Sequence, residues 1–230
     1  MNTKIYQKVQ QLIKEHPMAM IDKSQLTKLV SGIFDVDIHD FDMTNMNTIR
    51  LTEEIDEKVL EKYFSKIWQP QTKKYKYSGL AIVDEANSLK PRRVLDIGCG
   101  YNEFKGKINN LVGIDPYNSR ADVNCTILDY QPENKFDLVI SYGSINFGST
   151  DKILNEISKA LSITAPGGYL YFRVNPGKMH DKPEAKWIDF FEWTPEFIMT
   201  ISQFFGCEIL SMHPDADRLY FVLRKRAIKG

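Results

Sequence analysis

Apolar positions recur at helical spacing through residues 1 to about 90, where β-branched runs are few. Ile5, Val9, Leu12 and Ile13 fall on one helical face, and Leu26, Leu29, Val30 and Ile33 repeat the pattern. A third helix is predicted from Thr52, with Glu53 and Glu54 placed favourably at its N-terminus, to about Trp68 before Pro70 stops it. A fourth, over residues 77 to 89, precedes Pro91. Residues 1–90 therefore read as an N-terminal helical cap or extension.

From Arg93 the pattern changes to short apolar runs separated by helical or turn segments. Such alternation predicts an α/β domain with a mostly parallel sheet over residues 91–230. The strand candidates are VLDI (94–97), LVGI (111–114), CTIL (125–128), FDLVIS (136–141) and GYLYFRV (168–174). Between the last two, Asp151 to Ser162 carries Ile153, Leu154, Ile157, Ala160 and Leu161 on one helical face. A second helix is expected near Thr194-Pro195. CEILSM (207–212), a turn at HPDAD and RLYFVLRK (218–225) then have hairpin spacing, so the sheet should finish antiparallel.

Composition narrows the class without naming a partner. The 230 residues are 43% hydrophobic and 26% charged with a formal net charge of +0, which fits an ordinary globular chain and no polyanion-coating protein. Cys99, Cys125 and Cys207 are scattered and form no CxxC pair, which points to neither a disulfide framework nor a cysteine zinc site. The N-terminus lacks an apolar signal core, and no run approaches the ~18 apolar residues of a membrane span. A cytoplasmic, membrane-free setting is expected.

The chemistry gathers around VLDIGCGYNEFKGK, residues 94–107. Gly98-Cys99-Gly100 turns the chain at the carboxyl edge of the first strand, where open α/β sheets bind ligands. Glycine there permits positive φ and keeps Cβ atoms away from a ligand. The dinucleotide fingerprint G-x-G-x-x-G fails at Glu103, a negative charge where pyrophosphate would sit. Asp96 adds a second carboxylate, so the loop suits a cationic ligand better than NAD or FAD. Asp115, in LVGIDP, ends the second strand, where a carboxylate accepts ribose hydroxyls. Asp129, in CTILDY, is expected to end the third, where it could accept an adenine amino proton. Each acid alone also reads as a cap or turn residue.

In their order, VLDIGCG, VGIDP, LDY, FDLVIS and TAPGGYLYFRV (164–174) resemble the motifs of class I S-adenosylmethionine-dependent methyltransferases. The resemblance covers about residues 92 to 174, and the terminal hairpin agrees in topology. It implies a seven-stranded sheet with the last strand antiparallel, and S-adenosylmethionine lying across the strand tips and leaving as S-adenosylhomocysteine. Gly98 and Gly100 would lie against its methionine and ribose portions, Asp115 on the ribose hydroxyls and Asp129 near the adenine amino group. Ser141, Tyr142 and Gly143 match the segment lining the sulfonium side. The implied cofactor set is Asp96, Gly98, Cys99, Gly100, Asp115, Pro116, Asp129, Tyr130, Ser141, Tyr142 and Gly143, with no metal. Two departures stand out: Tyr101-Asn102 replaces the usual Thr-Gly or Ser-Gly, and only ten residues separate Gly100 from Leu111. The first crossover helix must be short or nearly lost.

The acceptor is less defined. Methyl transfer from a sulfonium needs alignment and exclusion of water, and a base only for a protonated acceptor. The segment after the fourth strand, SYGSINFGS (141–149), lacks the [DNS]PPY signature of amino-directed DNA methyltransferases. Candidate catalytic residues are His180, Tyr142 and Asn146. Aromatic clusters at Trp187, Phe190, Phe191 and Trp193, and at Tyr63, Phe64, Trp68, Tyr75 and Tyr77, serve as core packing or as an acceptor cover. Lys73, Lys74 and Lys76, interleaved with Tyr75 and Tyr77, form a solvated linker or follow a phosphate backbone. FDVDIHDFD (34–42) lacks the glycine and terminal Glu of an EF-hand loop and reads as a solvated acidic loop. The leading expectation is an enzyme methylating a small molecule; the alternatives are a non-catalytic cofactor-binding protein and an RNA or DNA methyltransferase. Oligomeric state is left open.

Overall fold

The structure, a computed structural model, describes residues 1–68, 79–176 and 183–227. The readings placed on Lys73 to Tyr77 and on His180 lie outside the described residues. The described residues form two compact units, one of 1–68 with 183–189 and one of 79–176 with 190–227.

The first unit is helical. α1 (Thr3–Glu15) buries Ile5, Val9 and Leu12, and α2 (Lys23–Phe34) buries Leu26, Val30 and Phe34, as the apolar spacing requires. α3 (Thr48–Lys62) continues into a π turn at Tyr63–Ile67, packs on α1 and buries Leu51, Ile55 and Val59. Each such side chain contributes roughly 1.5–3 kcal/mol when fully buried. The expected start at Thr52 is corrected to Thr48. The Asn47 side chain caps the N–H groups of Ile49 and Arg50 at 2.9 and 3.0 Å, while Thr52 lies inside the helix and donates to the Thr48 carbonyl.

The second unit is an α/β sheet in the order β2-β1-β3-β4-β6-β5. The strands are β1 (Val94–Ile97), β2 (Leu111–Ile114), β3 (Phe136–Tyr142), β4 (Thr164–Val174), β5 (Cys207–Asp215) and β6 (Arg218–Lys225). β2, β1, β3 and β4 are mutually parallel; β6 runs antiparallel to β4 and β5, so the terminal hairpin forms as the spacing predicts. One face buries Leu95, Ile97, Val139, Leu170, Phe172 and Phe221 under α5 (Thr150–Ile163) and α6 (Pro195–Phe204). The other buries Val94, Leu138, Ile140, Tyr171 and Val222 with Ile82 and Ala86 at α4 (Val83–Ser88). Within the described residues the predicted fourth helix consists of α4 and a preceding 3-10 turn, Gly79–Ile82.

The expected seventh strand, CTIL, is corrected: among the described residues the sheet has six strands, and Cys125 to Leu128 form bends and turns. The outer edge of β2 is met by a short segment instead of by a full strand: the Gly113 carbonyl accepts the Asp122 and Val123 N–H groups at 2.9 and 3.3 Å, and the Asp115 N–H donates to the Val123 carbonyl at 3.2 Å. Asp122 Oδ2 accepts the Gly113 N–H at 2.8 Å, and Asn124 Nδ2 donates to the Asp115 and Asn118 carbonyls. Only the single bridge Ile114–Val123 remains. Once these edge groups are paired, little is gained by extending a ladder through residues 125–128. The first crossover has no helix, as its length predicts. Its turns carry Phe104 and Ile108 onto the sheet face a helix would otherwise cover.

Candidate active site

β1 lies between β2 and β3, so three strand ends meet at one carboxyl edge. Gly98 (φ +65°) and Gly100 (φ +53°) turn the chain after β1. A Cβ at Gly98 would stand 2.2 Å from Ser144 Cβ, so glycine is required there for both reasons. A Cβ at Gly100 would meet nothing within 4 Å and would project into open space.

Asp115 holds this turn. Its Oδ2 accepts the Gly100 N–H at 2.9 Å, and its Oδ1 accepts those of Tyr117 and Asn118 at 2.8 and 2.9 Å. Three of about four lone-pair positions are therefore filled, leaving one for a further donor. Asp96 is 4% exposed, and its carboxyl has no hydrogen-bond partner among the described residues. Burial, reinforced by the charge of Asp115, pushes its pKa up to about 8. Burial and then Asp96, Asp115 and Asp122 push the Cys99 thiol far up, so it is no thiolate nucleophile.

Asn102 has φ +55°, the left-handed conformation that asparagine adopts more readily than most residues. It fills the backbone role of the glycine expected after the pair. Its Nδ2 donates to the Arg120 carbonyl at 3.0 Å, and its side chain lies over Gly113, where a Cβ would come within 2.6 Å of Oδ1. Sequence reasoning met Asn102 only as a departure from glycine, and passed over Asp122 and Ser144. The first carried a local signal, an αL-tolerant residue just past two glycines; the other two act across the chain.

At the tip of β3 the Ser141 and Ser144 hydroxyls are 2.8 Å apart, and Gly143 (φ +85°) donates to the Arg173 carbonyl. The Tyr142 phenol is pushed well above its ordinary pKa by burial first, then by Tyr220 and Glu85, so it is no base near neutrality. Asn146 is buried; its Oδ1 accepts the Asn175 N–H at 2.9 Å, tying the segments after β3 and β4 together. Pro116 follows Asp115 and is exposed.

Asp96, Gly98, Cys99, Gly100, Asp115, Pro116, Ser141, Tyr142 and Gly143 thus come together at adjacent strand ends. Asp129 and Tyr130 do not share that placement. Asp129 is exposed and bonds the Thr126 hydroxyl at 2.6 Å within its turn. The Tyr130 ring packs 6.3 Å from Phe136, which opens β3 at the opposite end. Among the aromatics, Trp193 is core: it packs on Phe172 and Phe221 and donates its indole N–H to the Ile145 carbonyl. In the acidic loop Asp35 pairs with Lys62, and Asp42 caps the Thr44 N–H.

No protein-family model and no curated protein matches the sequence. Solved structures do. An S-adenosylmethionine-dependent methyltransferase from Clostridium acetobutylicum aligns with TM-score 0.52 at 13% identity, over 79% of this chain and 100% of that one. The chain has the class I methyltransferase fold. A Burkholderia thailandensis 1,6-didemethyltoxoflavin-N1-methyltransferase, holding that compound and S-adenosylhomocysteine, aligns with TM-score 0.51 at 15% identity, over 64% of this chain and 77% of that one. An O-methyltransferase family protein from the same organism aligns with TM-score 0.47 at 12% identity over 65% of this chain, which spans 58% of its length. Among the described residues of this chain the first crossover carries no helix and the sheet has six strands.

Proposed function

We propose that the protein is an S-adenosylmethionine-dependent methyltransferase acting on a small-molecule acceptor. The observation that carries this reading is the glycine turn pinned by Asp115 beside the buried, unpartnered Asp96, at the edge where this fold takes its ligand. The residues fit the cofactor: the open space at Gly100 admits a ligand against the backbone, and the two carboxyl groups favour a cation over pyrophosphate. The bound cofactor would supply a methyl group on positively charged sulfur.

The chain's residues then bind and orient. Gly98, Cys99 and Gly100 provide close backbone approach, and Asp115 offers its remaining lone pair to a ribose hydroxyl. Asp96 faces the amino-acid end, while Ser141, Tyr142 and Gly143 line the side nearest β3. Pro116 is assigned to the rim beside Asp115; the bond of Asp129 within its own turn and the packing of Tyr130 in the core support leaving both outside the cofactor contacts. Asn146 acts by holding the acceptor-side segments in register. The neutral net charge and the N1-methyltransferase that holds a small heterocycle support a small-molecule acceptor over a nucleic acid. Three free cysteines support a cytoplasmic setting.

Calorimetry with S-adenosylmethionine and S-adenosylhomocysteine tests the reading. Binding at micromolar concentration is expected, followed by methyl transfer from labelled cofactor to members of a panel of small amines, phenols and heterocycles. Failure to bind either compound at millimolar concentration overturns it.

A further inference from the structure

We propose that ligand binding at the glycine turn is coupled to the ionisation of Asp96, so that the ammonium of the cofactor's amino-acid end enters as a proton leaves. This rests on the methyl-donor reading above and concerns how charge is balanced in that site.

The geometry sets the coupling. Asp96 sits at the middle strand of the three that meet, directly before the turn, 4% exposed and without a hydrogen-bond donor among the described residues. Among the described residues, burial and Asp115 act on it and no positive charge does. From the tip of β2 it faces Asp115, whose charge opposes its ionisation. From the turn it meets the Cys99 thiol, itself held neutral by burial and by Asp96, Asp115 and Asp122. On the β3 side its pairing partner is Ile140, followed on the same sheet face by the Tyr142 phenol, also neutral. A second carboxylate in this setting would be buried beside the first with nothing to balance it. Burial and Asp115 accordingly push Asp96 up to about 8, and the free chain carries it protonated at neutral pH.

A ligand ammonium removes the cause of that shift. The ammonium of the amino-acid end arrives beside Asp96, the Asp96 O–H bond breaks, and the proton passes to solvent; the new carboxylate and the ammonium balance each other, while the ligand's own carboxylate stays outside this pair. The sign follows. Between roughly pH 6 and 8 the free site must give up a proton to bind, so affinity rises with pH by up to about tenfold per unit and levels off above pH 8.

Calorimetry of S-adenosylhomocysteine on the full chain at pH 6.5, in phosphate and in imidazole, reads the released proton as a difference in apparent enthalpy. Between half a proton and one proton is expected. 5′-Methylthioadenosine, which lacks the ammonium, should release none, and Asp96→Asn, which copies the protonated acid, should bind S-adenosylhomocysteine without release. Equal enthalpies in the two buffers, or the same proton count in Asp96→Asn, overturn the proposal while leaving the methyl-donor reading intact. Absence of any binding overturns both. Carbon NMR of the free chain is a second check, since a carboxyl at position 96 titrating near 4 also overturns it.

Discussion

The carboxylate of Asp115 accepts the Gly100 N–H at 2.9 Å, so the tip of β2 holds the turn that follows β1. The same carboxylate accepts two further amides, and its loss leaves three N–H groups to find water. Asp115→Ala is expected to weaken S-adenosylhomocysteine binding more than tenfold and to lower stability by about 2 kcal/mol, because bonds to a charged acceptor are lost. Asp115→Asn keeps one acceptor oxygen and should fall between. Calorimetry and urea unfolding read the two effects separately; unchanged affinity in Asp115→Ala would remove this residue from the site.

Gly98 and Gly100 share positive φ but differ in what surrounds them. Gly98→Ala forces a Cβ onto Ser144 and should cost at least about 2 kcal/mol, beyond the ~1–2 kcal/mol of the backbone conformation alone. Gly100→Ala meets no neighbour and should cost only the conformational part. If the open space is the cofactor's, Gly100→Ala nonetheless loses at least tenfold in S-adenosylhomocysteine affinity. A variant with normal affinity would place the ligand elsewhere.

Asn102 replaces a glycine in conformation, and the substitutions it tolerates should say so. Asn102→Gly keeps φ +55° accessible, loses the bond to the Arg120 carbonyl and removes a buried Oδ1 that has no partner. Its stability should stay within about 1 kcal/mol of the parent. Asn102→Val places a β-branched residue in the left-handed region and should lose about 2 kcal/mol or more. Urea midpoints at constant slope distinguish the two; equal losses would show that the side chain matters more than the backbone.

These residues also mark what a sequence discloses. The turn at Gly98-Cys99-Gly100, the acid ending LVGID, the helix face from Ile153 to Leu161 and the terminal hairpin are local patterns, fixed within a few residues by periodicity and turn chemistry. The apparent third strand was misread because CTIL has strand composition, whereas the backbone of Asp122 and Val123, with the Asp122 side chain, had already satisfied the edge it would join. That competition lies between residues nine positions apart and leaves no mark in the run itself. The start of α3 was missed for a simpler reason: Asn47 is a good cap, but Glu53 and Glu54 made Thr52 look like the first turn. Ser144 was invisible because its importance is steric, a contact with a Cβ that Gly98 does not have.

Glu156 on α5 carries a pH dependence separate from the site. Its Oε2 is buried without a partner among the described residues, and burial, only partly opposed by Lys152, pushes its pKa up to about 7 from an ordinary 4.5. The folded chain therefore holds a proton between about pH 4.5 and 7 that the unfolded chain has released. This group's contribution to stability is full at pH 4, declines as pH rises through that window and is lost above about pH 7. Glu156→Gln has no such proton to lose. It should match the parent at pH 4 and exceed it by about 1–3 kcal/mol at pH 8, with the gain growing between those values. Urea unfolding of both proteins at pH 4, 6 and 8 isolates the difference from every other titrating group, Asp96 included. A gap that does not change with pH would mean that Glu156 is ionised in the folded chain throughout.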